Sequence, residues 1–173
     1  MHFYALAFFE FPCYNVNKFK ESERKYGMSR RSKIFLGLAV LITFFIFGNS
    51  LQSAEVSDGE SSRVFAWVSA LLSSVPTPWL SHHLIRKLAH FTEFFLQSGC
   101  LSLSAVYRED GAAGKRIPVL FIGLLTACTD ELIQVFVSGR SSQVTDVWID
   151  FSGVCLAALI IFFIDYWKKG MRA

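Results

Sequence analysis

ACTDELIQVFVSGRSSQVTDVWIDFSG, residues 127–153, decides the fold. Its left half closes one long apolar segment and its right half opens another. Along it stand Asp130, Glu131, Gln134, Arg140, Asp146 and Asp150. The pattern predicts an outgoing helix end, a short external turn and an ingoing helix start, with polar groups at the edges of two membrane segments.

Working outward, the whole chain is 53% hydrophobic with 18 Phe and only 18% charged residues, which sets an ordinary soluble domain aside. Apolar runs at about 34–49, 84–107, 117–137 and 147–167 are each near the length that spans a hydrocarbon core. A basic region and an apolar core at the first run would also suit a cleaved signal peptide. That core runs long, however, and "GNSLQSA" after it is a weak cleavage site, so an uncleaved helix is the expectation. "SSRVFAWVSALLSSV", 61–75, puts Val64, Trp67, Val68, Leu71, Leu72 and Val75 on one helical stripe. Ser61 or Ser62 would cap it, and Pro76 and Pro78 would end it. It is too short and too serine-rich to span, and is expected to lie along the outer surface or over the bundle.

The expected fold class is therefore all-α: a polytopic membrane helical bundle of four transmembrane helices plus a short extracytoplasmic amphipathic helix. The membrane domain covers 33–167, between tails at 1–32 and 168–173. Lys18, Lys20, Arg24, Lys25, Arg30, Arg31 and Lys33 crowd the first flank, and Arg108, Lys115 and Arg116 sit in the loop between the second and third runs. The loop after the first run has one Arg against three acids, and the loop after the third has Arg140 alone. Counting Lys and Arg by loop puts both termini in the cytoplasm. Beside an apolar run, a basic tract reads as that cytoplasmic flank and not as a nucleic-acid site. "SRRSKIFLGLAVLITFFIF" follows Met28 as a basic flank and membrane segment follow a start codon. Residues 1–27 are accordingly read as an over-extension of the reading frame or as a disordered tail.

With this topology, the helical rise converts position into depth. Glu93, Asp130 and Glu131 fall roughly 10 Å below the outer surface, Gln134 and Asp150 roughly 5 Å, with His90 shallower and Asp146 at the rim. Lys87, His90, Glu93 and Gln97 share one helix face, Asp130, Glu131 and Gln134 a second, and Asp146, Asp150 and Gly153 a third. A charge facing lipid costs about 2.5–3.5 kcal/mol even on a lenient scale, so these groups must pair or line a wet cavity. Glu93, Asp130, Glu131, Asp146 and Asp150 outnumber Arg86, Lys87 and Arg140, so the surplus calls for a shared proton, a protonated His90 or a bound cationic group. Asp146 also suits a helix N-cap. Arg86 reads as a snorkelling flank residue, His82 and His83 as loop residues, and Gln97, Ser98 and Ser102 as helix-packing glue. Cys100, Cys128 and Cys155 lie in apolar runs and, with Cys13, show no CxxC spacing. They read as small buried residues and not as a disulfide or zinc framework.

"RKLAHFTEFFLQSGCL", 86–101, resembles the K-x-x-H-x-x-(E/Y) helix of VanZ-like membrane proteins, and "DELIQVFVSGRSSQVTDVWIDFSG", 130–153, resembles that family's (D)E-x-x-Q-x(5)-R-x(5)-D-x(3)-(N/D)-x-x-G block. "NSLQS", 49–53, is similar to a polar Ser/Gln stretch of the family, and Asp150 stands where the family more often carries Asn. The resemblance covers about 33–167. It implies a small multi-pass protein of the bacterial cytoplasmic membrane, related to one that lowers susceptibility to the lipid-tailed glycopeptide teicoplanin.

Three functions follow. In the first, the polar layer binds or modifies a lipid-linked cell-wall precursor or a lipidated antibiotic, with Lys87 and Arg140 clamping phosphate or carboxylate and Glu131 and Gln134 accepting sugar or amide hydrogens. In the second, an intramembrane enzyme uses His90 or Glu93 as base, Glu131 as acid and Arg140 to steady developing negative charge. In the third, a structural or accessory bundle uses its charges only to fix helix packing. A transporter would need a homo-oligomer, since four crossings without repeats are few. No HExxH, P-loop or Ser/Cys nucleophile pattern is present. The spacing of His90 and the acids matches no standard metal site, so no cofactor is expected.

Overall fold

The computed structural model describes residues 28–71, 81–108 and 116–171. Expectations for 1–27, for Cys13, for Leu72, Val75 and the prolines 76 and 78, and for Lys115 lie outside the described residues. Five helices follow one another: α1 (Arg30–Ser50), α2 (Ala54–Leu71), α3 (His82–Val106), α4 (Arg116–Val135) and α5 (Val144–Gly170). The described residues are all-helical apart from turns and one isolated bridge between Met28 and Arg108.

Local chemistry sets the helix starts. Ser29 accepts the Ser32 N–H at 3.1 Å to cap α1, and Ser81 accepts the Leu84 N–H at 3.1 Å to cap α3. Because Ser81 is the cap, His82 and His83 belong to the first turn of α3 and not to a loop; His82 stacks on Phe65 with ring centroids 4.3 Å apart. The amphipathic helix is longer than its apolar stripe implies. It begins at Ala54, so Ser61 and Ser62 are interior residues and not caps. Glu55 in its first turn complements the helix dipole, which lets the acidic stretch join the helix. Gln143, not Asp146, holds the cap position of α5, and Asp146 lies in its first turn.

α1, α4 and α5 are long and apolar enough to cross a membrane, with mean hydropathy of 1.8, 1.4 and 2.4 over their best windows. This marks a multi-pass membrane protein. At 25 residues α3 is long enough too, but Arg86, Lys87 and Glu93 crowd its first half and apolarity alone does not count it as a span. Packing explains why α3 can carry those charges: it touches each of the other four helices, so its polar face turns inward. Outward faces are apolar instead, with Leu41, Phe44 and Phe45 of α1, Phe121 and Leu125 of α4, and Leu159 and Phe163 of α5 all exposed. So large an exposed apolar surface fits lipid and not water.

Small residues let the helices close. A Cβ on Gly153 of α5 would stand 2.6 Å from the Phe91 carbonyl oxygen of α3, and one on Gly123 of α4 would collide with Val154 Cγ1. Ala39, Ala105, Ala127, Ala157 and Ala158 fill the remaining close contacts. Gln97, in the middle of α3, donates to Thr43 Oγ1 at 2.7 Å and Thr126 Oγ1 at 3.2 Å, and Ser98 donates to the Val154 carbonyl at 2.9 Å. These two are helix-packing groups, as their spacing suggests. The cysteines are less buried than their apolar surroundings imply. Cys100 and Cys155 are half-buried and Cys128 is exposed, because its face of α4 turns away from the bundle.

Candidate functional site

One end of the bundle gathers the C-terminal ends of α1 and α4, the N-terminal halves of α3 and α5, and the α4–α5 turn. Lys87, His90, Glu93, Asp130, Glu131, Gln134, Arg140, Asp146 and Asp150 all stand there. Gly139 at φ 76° makes the turn, a conformation that favours glycine, and the Ala54 N–H of α2 reaches the Ser138 carbonyl beside it at 3.4 Å.

Much of this polar set is occupied in holding the end together. Lys87 Nζ lies 2.7 Å from Asp146 Oδ1, joining α3 to the first turn of α5. Glu131 Oε2 accepts from Ser142 Oγ and from the Gln143 N–H at 3.0 Å, so α4 supplies the capping group that the Gln143 side chain does not. Arg140 donates from Nε to the Gln52 carbonyl at 3.2 Å and from Nη2 to the Asn49 carbonyl at 3.0 Å. It therefore closes the C-terminal end of α1, where the dipole favours a cation. Burial lowers the pKa of this guanidinium, as does Arg86, while Asp130, Asp58 and Glu131 raise it. Arg86 itself reaches across to Asp58 of α2 at 3.2 Å and is more than a snorkelling flank residue. Asp130 is fully buried, accepting from Ser50 Oγ and from Gln134 Nε2 at 2.9 Å.

The centre of this frame is left with unused groups. His90 Nδ1 is buried without a hydrogen-bond partner, 3.9 Å from Asp130 Oδ2 and 4.0 Å from Glu93 Oε2. Glu93 Oε1 accepts from Asn49 Nδ2 at 2.8 Å, while its Oε2 has no partner. Asp150 is 3% exposed, yet no described residue donates to it. His90, Asp130 and Asp150 each offer one ligand atom within 4.8 Å of the others, so three helices bring together a set that sequence spacing does not announce.

Two cavities meet at these residues. A small polar one of about 40 Å³ is lined by His90, Asp150, Glu131, Gln134, Lys87, Asp146 and Arg140, among others. A larger groove of about 580 Å³ runs between α2 and α3, with Val64, Val68, Ile85 and Leu88 on its apolar wall and Asn49, Glu93, His90 and Arg140 at its polar end. His90, Arg86 and Arg140 border both.

Asn49, Ser50 and Ser142 are site members that helix-face counting passes over. The signal for the first two is present in the sequence: an amide and a hydroxyl at the end of an apolar helix, at the depth of Glu93 and Asp130. Ser142 carries none, because its role depends on how the turn folds back over Glu131.

The sequence model of the VanZ/LLP1 family matches residues 35–165. No curated protein and no solved structure matches significantly. The family match covers both polar blocks and most of the helical bundle, so the chain belongs to the VanZ/LLP1 family.

Proposed function

We propose that this protein crosses the bacterial cytoplasmic membrane four times, with both termini cytoplasmic, and that its outer-leaflet polar end binds or modifies the head of a lipid-linked envelope molecule or lipidated glycopeptide. One observation carries the reading: the apolar groove between α2 and α3 opens onto the His90, Glu93 and Arg140 end of the polar cluster. A site for an amphiphile needs that pairing, an apolar track for the tail and hydrogen-bonding groups for the head. Membership of a family that resembles a teicoplanin-resistance protein adds support but no mechanism, since a fold does not fix a function.

A second reading has its own support. Lys87, Asp146, Glu131 and Arg140 are engaged in bonds that fix helix ends, as a purely structural bundle would require. The two readings separate by residue. Single alanine substitutions of Lys87, Glu131 and Arg140 are expected to lower membrane abundance. Those of His90 and Glu93 are expected to leave abundance near normal while changing susceptibility to lipidated, but not to non-lipidated, glycopeptides. Loss of abundance for all five substitutions would favour the structural bundle.

A further inference from the structure

We propose that His90, Asp130 and Asp150 hold a divalent transition-metal ion, Mn²⁺ or Zn²⁺, at the base of the polar cavity. The first ground is geometric. Two ligands each about 2.1–2.2 Å from one ion stand roughly 3 Å apart when adjacent and roughly 4.3 Å apart when opposite. A ring nitrogen of His90 and one oxygen each of Asp130 and Asp150 lie within 4.8 Å of one another, so rotation of these side chains toward a common centre would complete the coordination.

The second ground is the state of the donors. Asp150 lines the cavity, is almost wholly buried, and accepts no hydrogen bond from a described residue. A carboxylate that lines the cavity without a protein donor keeps its lone pairs for a ligand there. His90 Nδ1 and Glu93 Oε2 are buried and unpartnered 4.0 Å apart, so Glu93 stands beside the three ligands as a neighbour of the imidazole. Asp130 Oδ2 accepts from Gln134 and keeps a second lone pair, and this bond fixes the carboxylate as outer-shell partners of metal ligands do.

Charge points the same way. Of the nearby cations, Lys87 is paired with Asp146, Arg86 reaches Asp58, and Arg140 lies on helix carbonyls. Among the described residues, His90 is the basic group within 4.0 Å of Glu93 and Asp130, while Arg140 acts on Asp130 from the turn. An imidazole with carboxylates suits Mn²⁺ or Zn²⁺ better than an all-oxygen set would. The cavity of about 40 Å³ that His90 and Asp150 line, and that Asp130 borders through Gln134, has room for a water beside the ion. The ion does not depend on the amphiphile reading, because every ligand is supplied by the chain.

The test uses the full chain in detergent, stripped with chelator and titrated with Mn²⁺ or Zn²⁺ alone. Wild-type protein is expected to retain about one equivalent of one of these ions through gel filtration, measured by elemental mass spectrometry. Asp150→Asn and His90→Gln are expected to weaken retention by at least about tenfold, with helical content unchanged by circular dichroism. Asp165→Asn, near the opposite end of α5 and paired with Lys169, is expected to retain the ion. With Mn²⁺ bound to wild-type protein, electron spin-echo spectroscopy is expected to show modulation from an imidazole nitrogen, a readout that does not depend on any variant folding. Failure of wild-type protein to retain either ion, equal loss in Asp165→Asn, or Mn²⁺ bound without nitrogen modulation would each overturn the assignment.

Discussion

Lys87 and Asp146 make the most direct ion pair between α3 and α5, with side chains only 22% and 25% exposed. Water screens such a pair weakly, so a double-mutant cycle of Lys87→Ala and Asp146→Ala is expected to give a coupling of about 1–3 kcal/mol in reversible unfolding from micelles. Coupling near zero would show that the pair does not hold the helices. Arg140 has a different task. Two of its N–H groups reach carbonyls at the end of α1, and a lysine ammonium cannot span both. Arg140→Lys is therefore expected to lower stability by about 1–3 kcal/mol, read as a lower thermal midpoint in detergent. At this scale the sequence reveals membership better than role. Helix periodicity and depth bring all nine polar residues to one end. They do not show that Glu131 caps α5 or that Arg140 caps α1, because both bonds depend on the path of the 136–143 turn.

Among the elements, α5 approaches the backbone of α3 closely. A methyl on Gly153 meets the Phe91 backbone oxygen at 2.6 Å, and backbone cannot swing aside as a side chain can. Gly153→Ala is expected to lower stability by about 1–3 kcal/mol. Gly37→Ala in α1, where an added Cβ meets nothing within 4 Å, is expected to leave it almost unchanged, and equal effects would contradict the packing described. The long helices were legible to within four residues from apolar run length, which is a property of each segment alone. α2 was less so. Its apolar stripe starts near residue 64, but the helix starts at Ala54, where Glu55 favours the first turn and the Ser138 carbonyl receives the Ala54 N–H. The second of those causes is tertiary and leaves no mark on local periodicity.

For the whole molecule, a central helix with a charged first half is wrapped by three apolar helices and the shorter α2, with the charges of three helices facing inward at one end. If that end faces the outer leaflet, as Lys/Arg counting implies, an enzymatic reporter fused at Lys169 is expected to read out in the cytoplasm; an extracytoplasmic readout would invert the site. The amphiphile groove is tested most directly by what co-purifies with the protein. Lipid extraction and mass spectrometry of the gently purified wild-type chain are expected to show one amphiphile class enriched over bulk membrane lipid. Ala89→Trp, which fills the groove from an exposed position, is expected to abolish that enrichment while the protein stays folded. A wild-type lipid profile indistinguishable from bulk membrane, or an enrichment that survives the tryptophan, would contradict the amphiphile site.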